Sequence, residues 1–278
     1  MSEVSKMKVK KYYINLDRRA DRRKEFEKKC PWEDVERISA VDGRELHIIF
    51  KESARYRRML HHAVYYGYTK PVKPGNIGAS LSHLATWKKI VESQSNSNND
   101  VFLIMEDDCF FSERISVEWD CLLRQLENIE FDIVYPGGRF TENFSPDNIA
   151  EWTHVRKNIY LRSNKVSRPE KSVGMDWDRT GHAYLVSKKF CMFLVDHSID
   201  ILKLPIDHWI AAKCVLNNRT ALDYFPHLMY VPRDYKSDIQ SRDGIFFHEL
   251  HKECRLDGFG YTAFRIKNRV MRIFGCHA

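Results

Sequence analysis

Val101-Phe102-Leu103-Ile104-Met105-Glu106-Asp107-Asp108 is the stretch that decides the architecture of this chain. Five apolar residues in a row, with no alternation, predict a strand covered on both faces, and such strands belong to sheets with helices on either side. Three adjacent carboxylates close that strand. Like charges repel and resist burial, so holding them together calls for a cation. In open parallel sheets ligands gather at the carboxyl ends of strands. Oxygen ligands suit a hard divalent ion, Mn2+ or Mg2+, which keeps positions open for phosphate oxygens. Glu106, Asp107 and Asp108 are therefore the expected metal ligands. The alternative, a solvated acidic loop, is disfavoured by the buried strand before them and by Phe110-Phe111 just after.

Outward from that strand, helical and extended patterns alternate. Upstream, Lys10 to Leu16 reads as a strand, Asp17 to about Lys29 as a charged helix, and Val35 to Ile38 as a short strand closed by the turn pair Asp42-Gly43. Arg44 to Lys73 reads as irregular, basic and tyrosine-rich. Gly75 and Gly78 lead into an amphipathic helix over Ala79 to Val91, and Ser93 to Asp100 is a solvated loop by composition. Downstream come a helix over 114–128, a strand near Phe131 to Tyr135 and a long polar section to about Asp178. A buried strand over Ala183 to Ser187, helices over Lys188 to Leu202 and Ile206 to Asn217, and a last strand at His227 to Val231 complete the pattern. The alternation predicts an α/β fold, a mainly parallel sheet flanked by helices. No repeat or linker interrupts it, so one domain is expected over 1–250, followed by a basic helical extension over 251–278.

The 278 residues are 43% hydrophobic and 13% aromatic, which excludes wholesale disorder. Lysine and arginine outnumber aspartate and glutamate 45 to 38, and the net charge of +7 favours anionic partners: nucleotides, nucleic acid or membrane surfaces. Seven widely spread cysteines without a C-x-x-C pair support neither a disulfide framework nor a zinc site. No apolar run approaches the roughly 18 residues of a transmembrane helix. Met1 to Arg19 lacks a signal-peptide core, so a cytoplasmic location is expected. No glycine-rich phosphate loop of the P-loop or dinucleotide type is present, which argues against ATP or NAD enzymes.

Six blocks in order resemble glycosyltransferase family 25, the family of bacterial lipooligosaccharide and collagen galactosyltransferases. They are Tyr13 to Arg22, Arg37 to Gly43, Gly78 to His83, Leu103 to Asp108, Thr180 to Ser187 and Pro205 to Asp207. Each block alone is weak; six in sequence over residues 11–245 are specific. The resemblance implies a GT-A fold of Rossmann-like type, a nucleotide-sugar donor, a glycan or glycoprotein acceptor and inversion at the anomeric carbon. UDP-galactose is the first donor it implies, with UDP-glucose and UDP-xylose open. Under it, Glu106-Asp107-Asp108 stands in the place of the family's D-x-D-type metal motif.

Inverting transfer needs a base for the acceptor hydroxyl, and a carboxylate is the usual choice. Asp207 is the first candidate, with a helix-capping role as its alternative; Asp176 and Asp178 are in reserve. Asn15, Asp17, Arg18 and Arg22, at the end of the first strand and in the turns after it, are candidate contacts to nucleotide and phosphate. Ser82, His83, Asp107 and His182 complete the candidate donor-binding set, with structural hydrogen bonding as the alternative for Ser82 and both histidines. The tyrosines and cations of residues 51–73 could stack on sugars or on single-stranded nucleic acid. The apolar face of 262–274 could touch a membrane surface or pack on the domain. Two rival functions stay open at this level: a metal-dependent nuclease or phosphotransferase using the same carboxylates, and a non-enzymatic nucleic-acid-binding protein.

Overall fold

In the computed structural model, residues 7–65, 71–94, 100–138, 152–162, 181–232, 235 and 244–254 are described. From the amino end, β1 (Val9–Asn15) leads through α1 (Ala20–Lys29) to β2 (Val35–Ser39). Next come α2 (Leu46–Glu52), α3 (Ala54–Tyr65), α4 (Pro74–Glu92), β3 (Val101–Glu106), β4 (Phe110–Phe111) and α5 (Ile115–Leu126). β5 (Ile133–Tyr135), β6 (Gly137–Gly138), β7 (Trp152–Arg156), β8 (Ile159–Arg162) and β9 (Ala183–Ser187) follow. The described chain closes with α6 (Lys188–Asp196), a 3-10 turn at Ser198–Lys203, α7 (Ile206–Leu216), β10 (Ala221–Tyr224), β11 (Met229–Tyr230) and α8 (Phe247–Glu253).

The main sheet has the order β2-β1-β3-β9-β5-β10-β8-β7. β1 pairs in parallel with both β2 and β3, and β5 pairs in parallel with β10. β9 runs antiparallel to both β3 and β5, and β8 antiparallel to both β10 and β7. Six of the eight strands therefore share one direction, as the alternating pattern predicts, and the mixed sheet is compatible with a Rossmann-like fold. β4, β11 and β6 form a second, small sheet in the order β4-β11-β6.

Period-two alternation splits the apolar residues between two cores. Tyr12 and Ile14 of β1, Phe102 and Ile104 of β3, and Tyr184 and Val186 of β9 face the helical layer that includes Leu60, Leu84, Trp87 and Trp209. Tyr13, Leu103, Met105, Ala183 and Leu185 face the other way, against Phe26 of α1 and Leu122, Leu123 and Leu126 of α5. Val101 to Met105 are all buried, as their unbroken hydrophobicity requires.

Three expectations need correction. The segment expected to be irregular forms α2 and α3: Tyr56, Met59, Leu60, Ala63 and Val64 recur at helical spacing and pack into the core. The helix expected at Ala79 begins at Pro74, whose missing N–H costs nothing in a first turn. The polar section before Asp178 contains the β7–β8 hairpin. α8 runs through residue 250, and its Phe247 and Leu250 share the core with Cys254. Cys109, Cys191 and Cys214 are also buried, and no disulfide joins the described cysteines. No helix among the described residues is long and apolar enough to cross a membrane. The stretch 262–274 lies outside the described residues.

Candidate active site

The carboxyl ends of β1 and β3 lie side by side, with Ile14 opposite Glu106 in register. Because β9 runs backwards beside β3, its first residues meet the last residues of β3: Met105 pairs with Ala183, and Glu106 N donates to His182 O at 2.8 Å. This reversal brings the Gly181-His182 block to the carboxylates. In front of these strand ends opens a cavity of about 410 Å³, walled also by the loop at 40–47, the start of α4, Ile245 and Leu250.

The three carboxylates have different partners. Glu106 Oε1 lies 3.0 Å from His83 Nε2. Burial opposes its ionisation, but the hydrogen bond from His83, with the charge of Arg22 behind it, prevails and holds it below the usual glutamate range. Asp107 is bound at both oxygens, accepting from Arg22 Nη1 at 3.0 Å and from Asn15 Nδ2 at 2.7 Å. Burial nonetheless raises its pKa, those two partners offsetting only part of the cost. Asp108 Oδ1 is buried with no hydrogen-bond partner among the described residues. Burial first, then the charges of Glu106 and Asp107, push Asp108 up to about 8. A carboxyl in that state is mostly protonated at neutral pH, and a cation beside it would favour the ionised form.

Among the described residues no three His, Cys, Asp or Glu side chains converge into a metal-holding cluster. The chemistry that does fit a hard divalent ion is narrower than the full triplet. Glu106 and Asp108, two residues apart, both line the cavity, and Asp108 carries the unsatisfied oxygen. Asp107 has both oxygens occupied by protein donors.

The expected donor-binding residues divide into two groups. Arg18, Arg22, Ser82, His83 and Asp107 line the cavity, whereas Asn15, Asp17 and His182 do not. Asn15 is a buried bracket: it donates to Asp107 and to Arg19 O, and its Oδ1 accepts from Arg37 Nε at 3.1 Å. Asp17 accepts from Arg37 and from Ser39 Oγ. Ser82 is a tie between elements, its Oγ donating to Gly78 O at 2.7 Å and accepting from Val41 N at 2.8 Å. The small start of α4 permits that contact, since a Cβ on Gly78 would lie 2.6 Å from Val41 O. Arg18 Nε reaches Asp42 Oδ2 at 2.6 Å.

Sequence reasoning missed Arg44 and His47, which also line the cavity and are exposed. They lie in the segment expected to be irregular, and the signal that could have found them is the turn pair Asp42-Gly43. Asp42 Oδ1 accepts from Arg44 N at 2.9 Å, starting the 3-10 turn that leads into α2. Asp207 occupies the first turn of α7, where its Oδ1 accepts from His208 N at 2.8 Å. It does not line the cavity, but its neighbour Ile206 and Glu106 Oε1 both flank the point where a Gly181 Cβ would stand. Asp176 and Asp178 lie outside the described residues.

The family model described as glycosyltransferase family 25 (LPS biosynthesis protein) matches residues 8–210, a span that holds both strand ends and all three carboxylates. Procollagen galactosyltransferase 1 of Danio rerio is 24% identical over 227 residues, covering 78% of this chain and 33% of that protein. Procollagen galactosyltransferase 2 of Homo sapiens is 24% identical over 235 residues, covering 81% and 33%. The chain thus spans about a third of the length of these relatives. With the matched span covering most of the chain and the site, the chain belongs to glycosyltransferase family 25.

Proposed function

We propose that this chain transfers a sugar, galactose first, from a UDP-sugar to a hydroxyl of a glycan or glycoprotein acceptor, with inversion and with Mn2+ or Mg2+. The observation that carries the proposal is the buried Asp108 Oδ1, without a hydrogen-bond partner among the described residues, beside Glu106 in the cavity, an arrangement that a divalent cation would complete. Family membership and the similarity to procollagen galactosyltransferases support the sugar chemistry.

Glu106 and Asp108 would hold the ion. When bound, it neutralises the negative charge that builds on the departing diphosphate. The chain's own residues prepare the rest. Arg22 and Asn15 fix Asp107, so the turn after β3 is held rigid from the α1 side. Pro74 and Gly75, at the positive end of α4, line the same cavity and favour an anion there. Leu16, Val41, Leu46 and Leu250 supply apolar walls suited to a nucleoside. Asp207 is the proposed base for the acceptor hydroxyl; it does not line the cavity, and its support is its neighbour Ile206, which flanks Gly181 together with Glu106 Oε1.

The test is thermal melting with UDP and Mn2+, separately and together. Saturation at about a hundred times the dissociation constant adds about 2.7 kcal/mol to stability, so the pair should raise the melting temperature by several degrees, more than the two single shifts combined. No shift with the pair would overturn the proposal.

A further inference from the structure

The chemistry above leaves one buried chain of hydrogen bonds without a role. Trp87 Nε1 donates to Tyr184 Oη at 3.0 Å, Tyr184 Oη lies 2.8 Å from His83 Nδ1, and His83 Nε2 lies 3.0 Å from Glu106 Oε1. Trp87 and Tyr184 are fully buried and His83 is 1% exposed. The protons can be placed by elimination. An indole N–H only donates, so the phenol accepts from Trp87. The phenol keeps one proton of its own at neutral pH, and in this buried site His83 Nδ1 is the acceptor set before it. Nδ1 is then a lone pair, and the imidazole proton sits on Nε2, aimed at Glu106. The imidazolium and the reverse tautomer would both put an N–H at Nδ1 and strand the phenolic proton, and the reverse tautomer would also set the Nε2 lone pair against a carboxylate oxygen.

We propose that Trp87 and Tyr184 lock His83 as the neutral Nε2–H tautomer and that the three act as positioning residues for Glu106, holding Oε1 and leaving the other oxygen for the divalent cation. The cation rests on the function proposed above; the tautomer does not. Two further contacts fit the assignment. Gly181 keeps the bond uncrowded, since a Cβ there would lie 3.2 Å from Glu106 Oε1 and 3.7 Å from His83 Nε2. Trp87 is itself braced by Trp209 of α7, the rings stacked at 6.0 Å and 22°.

Two measurements on the full chain test the proposal. Two-bond 1H–15N correlation spectra of histidine-labelled protein, with the His83 signal identified by its loss in His83→Gln, should show a pyridine-type Nδ1 and a pyrrole-type Nε2. The opposite pattern, or averaged nitrogens, overturns the proposal whatever the enzyme does. Mn2+ titration in saturating UDP, followed by electron paramagnetic resonance, reads the positioning. Gln at position 83 offers an N–H where Nε2–H stood, and Asn offers one nearer Nδ1. His83→Gln should bind Mn2+ nearly as the wild type does, whereas His83→Asn and Tyr184→Phe should weaken binding about 10- to 100-fold, as loss of a ligand's supporting hydrogen bond does. Equal constants for Gln and Asn in folded proteins overturn the proposal, and that pair decides alone if Tyr184→Phe does not fold. A wild type that binds no Mn2+ with UDP sinks the proposed function and the role of Glu106 toward the ion, while the spectrum still decides the tautomer.

Discussion

Arg22 Nη1 lies 3.0 Å from Asp107 Oδ1, with the two side chains only 7% and 10% exposed. The pair bolts α1 to the turn after β3, and the Tyr235 ring covers the guanidinium, its centroid 4.8 Å from Cζ. Removing one partner strands the other as a buried charge, which costs about 3–5 kcal/mol. Asp107→Ala should lose that much in urea unfolding. A loss below about 1 kcal/mol, the size of a surface pair, would show that water reaches the bond.

Asp108 should behave in the opposite way. Its carboxyl is pushed up to about 8, so at neutral pH and without a cation it already resembles a neutral amide in charge. Asp108→Asn should melt at or above the wild-type temperature without ligand and lose the joint response to UDP and Mn2+. A retained joint response would move the ion away from this residue.

Much of the fold was legible because its signals are local. The unbroken run Val101 to Met105 gave the central strand, and the carboxylates after it line the candidate cavity. The direction of β9 was not legible. Ala183 to Ser187 reads as a buried strand in either direction, and only its pairing with β3 brings His182 and Tyr184 to Glu106 and His83. α3 was legible in principle, with apolar residues at 56, 59, 60, 63 and 64, but the basic residues and tyrosines between them masked the period. The division of labour among the three acids was hidden for a different reason. Asp107 is claimed by Arg22 from 85 positions away, a contact that no short motif encodes.

Arg44 offers a test of the cavity's far wall. Arg18 is paired with Asp42 and Arg22 with Asp107, whereas no ion-pair partner for Arg44 is found among the described residues. An exposed guanidinium beside a cavity expected to take a diphosphate should contribute a charge-assisted hydrogen bond of about 1.5–3 kcal/mol. Arg44→Ala should therefore weaken UDP binding about 10- to 100-fold by calorimetry. Its melting temperature should not move, because the side chain is exposed. Unchanged UDP affinity would exclude Arg44 from the donor site.

His227 sets an acid limit on stability away from the cavity. Its ring presses on Gly138, where a Cβ would lie 2.0 Å from Cε1, and burial lowers its pKa to about 4 against the opposing pull of Asp223. The folded pKa lies below the unfolded value of about 6.5, so between the two the unfolded chain binds more protons. This contribution is full above about pH 6.5 and is lost as pH falls toward about 4, up to roughly 3 kcal/mol. Urea unfolding across that window should show the slope in the wild type and a flatter one in His227→Gln. Equal slopes would assign the acid sensitivity to other groups.

Asp207 can be tested so that its two roles separate. As a first-turn residue of α7 it accepts from His208 N, and an Asn side chain keeps that acceptor. As a base it needs a carboxylate, which Asn lacks. Asp207→Asn should therefore melt close to the wild type and bind UDP with Mn2+ unchanged, while turnover falls by about 10²- to 10⁴-fold, the usual worth of a positioned base. Unchanged turnover would leave Asp207 as a helix-end residue and turn the search for the base to Asp176 and Asp178. A fall in stability together with turnover would instead tie the loss to α7, whose Ile206 packs beside Gly181 and Glu106.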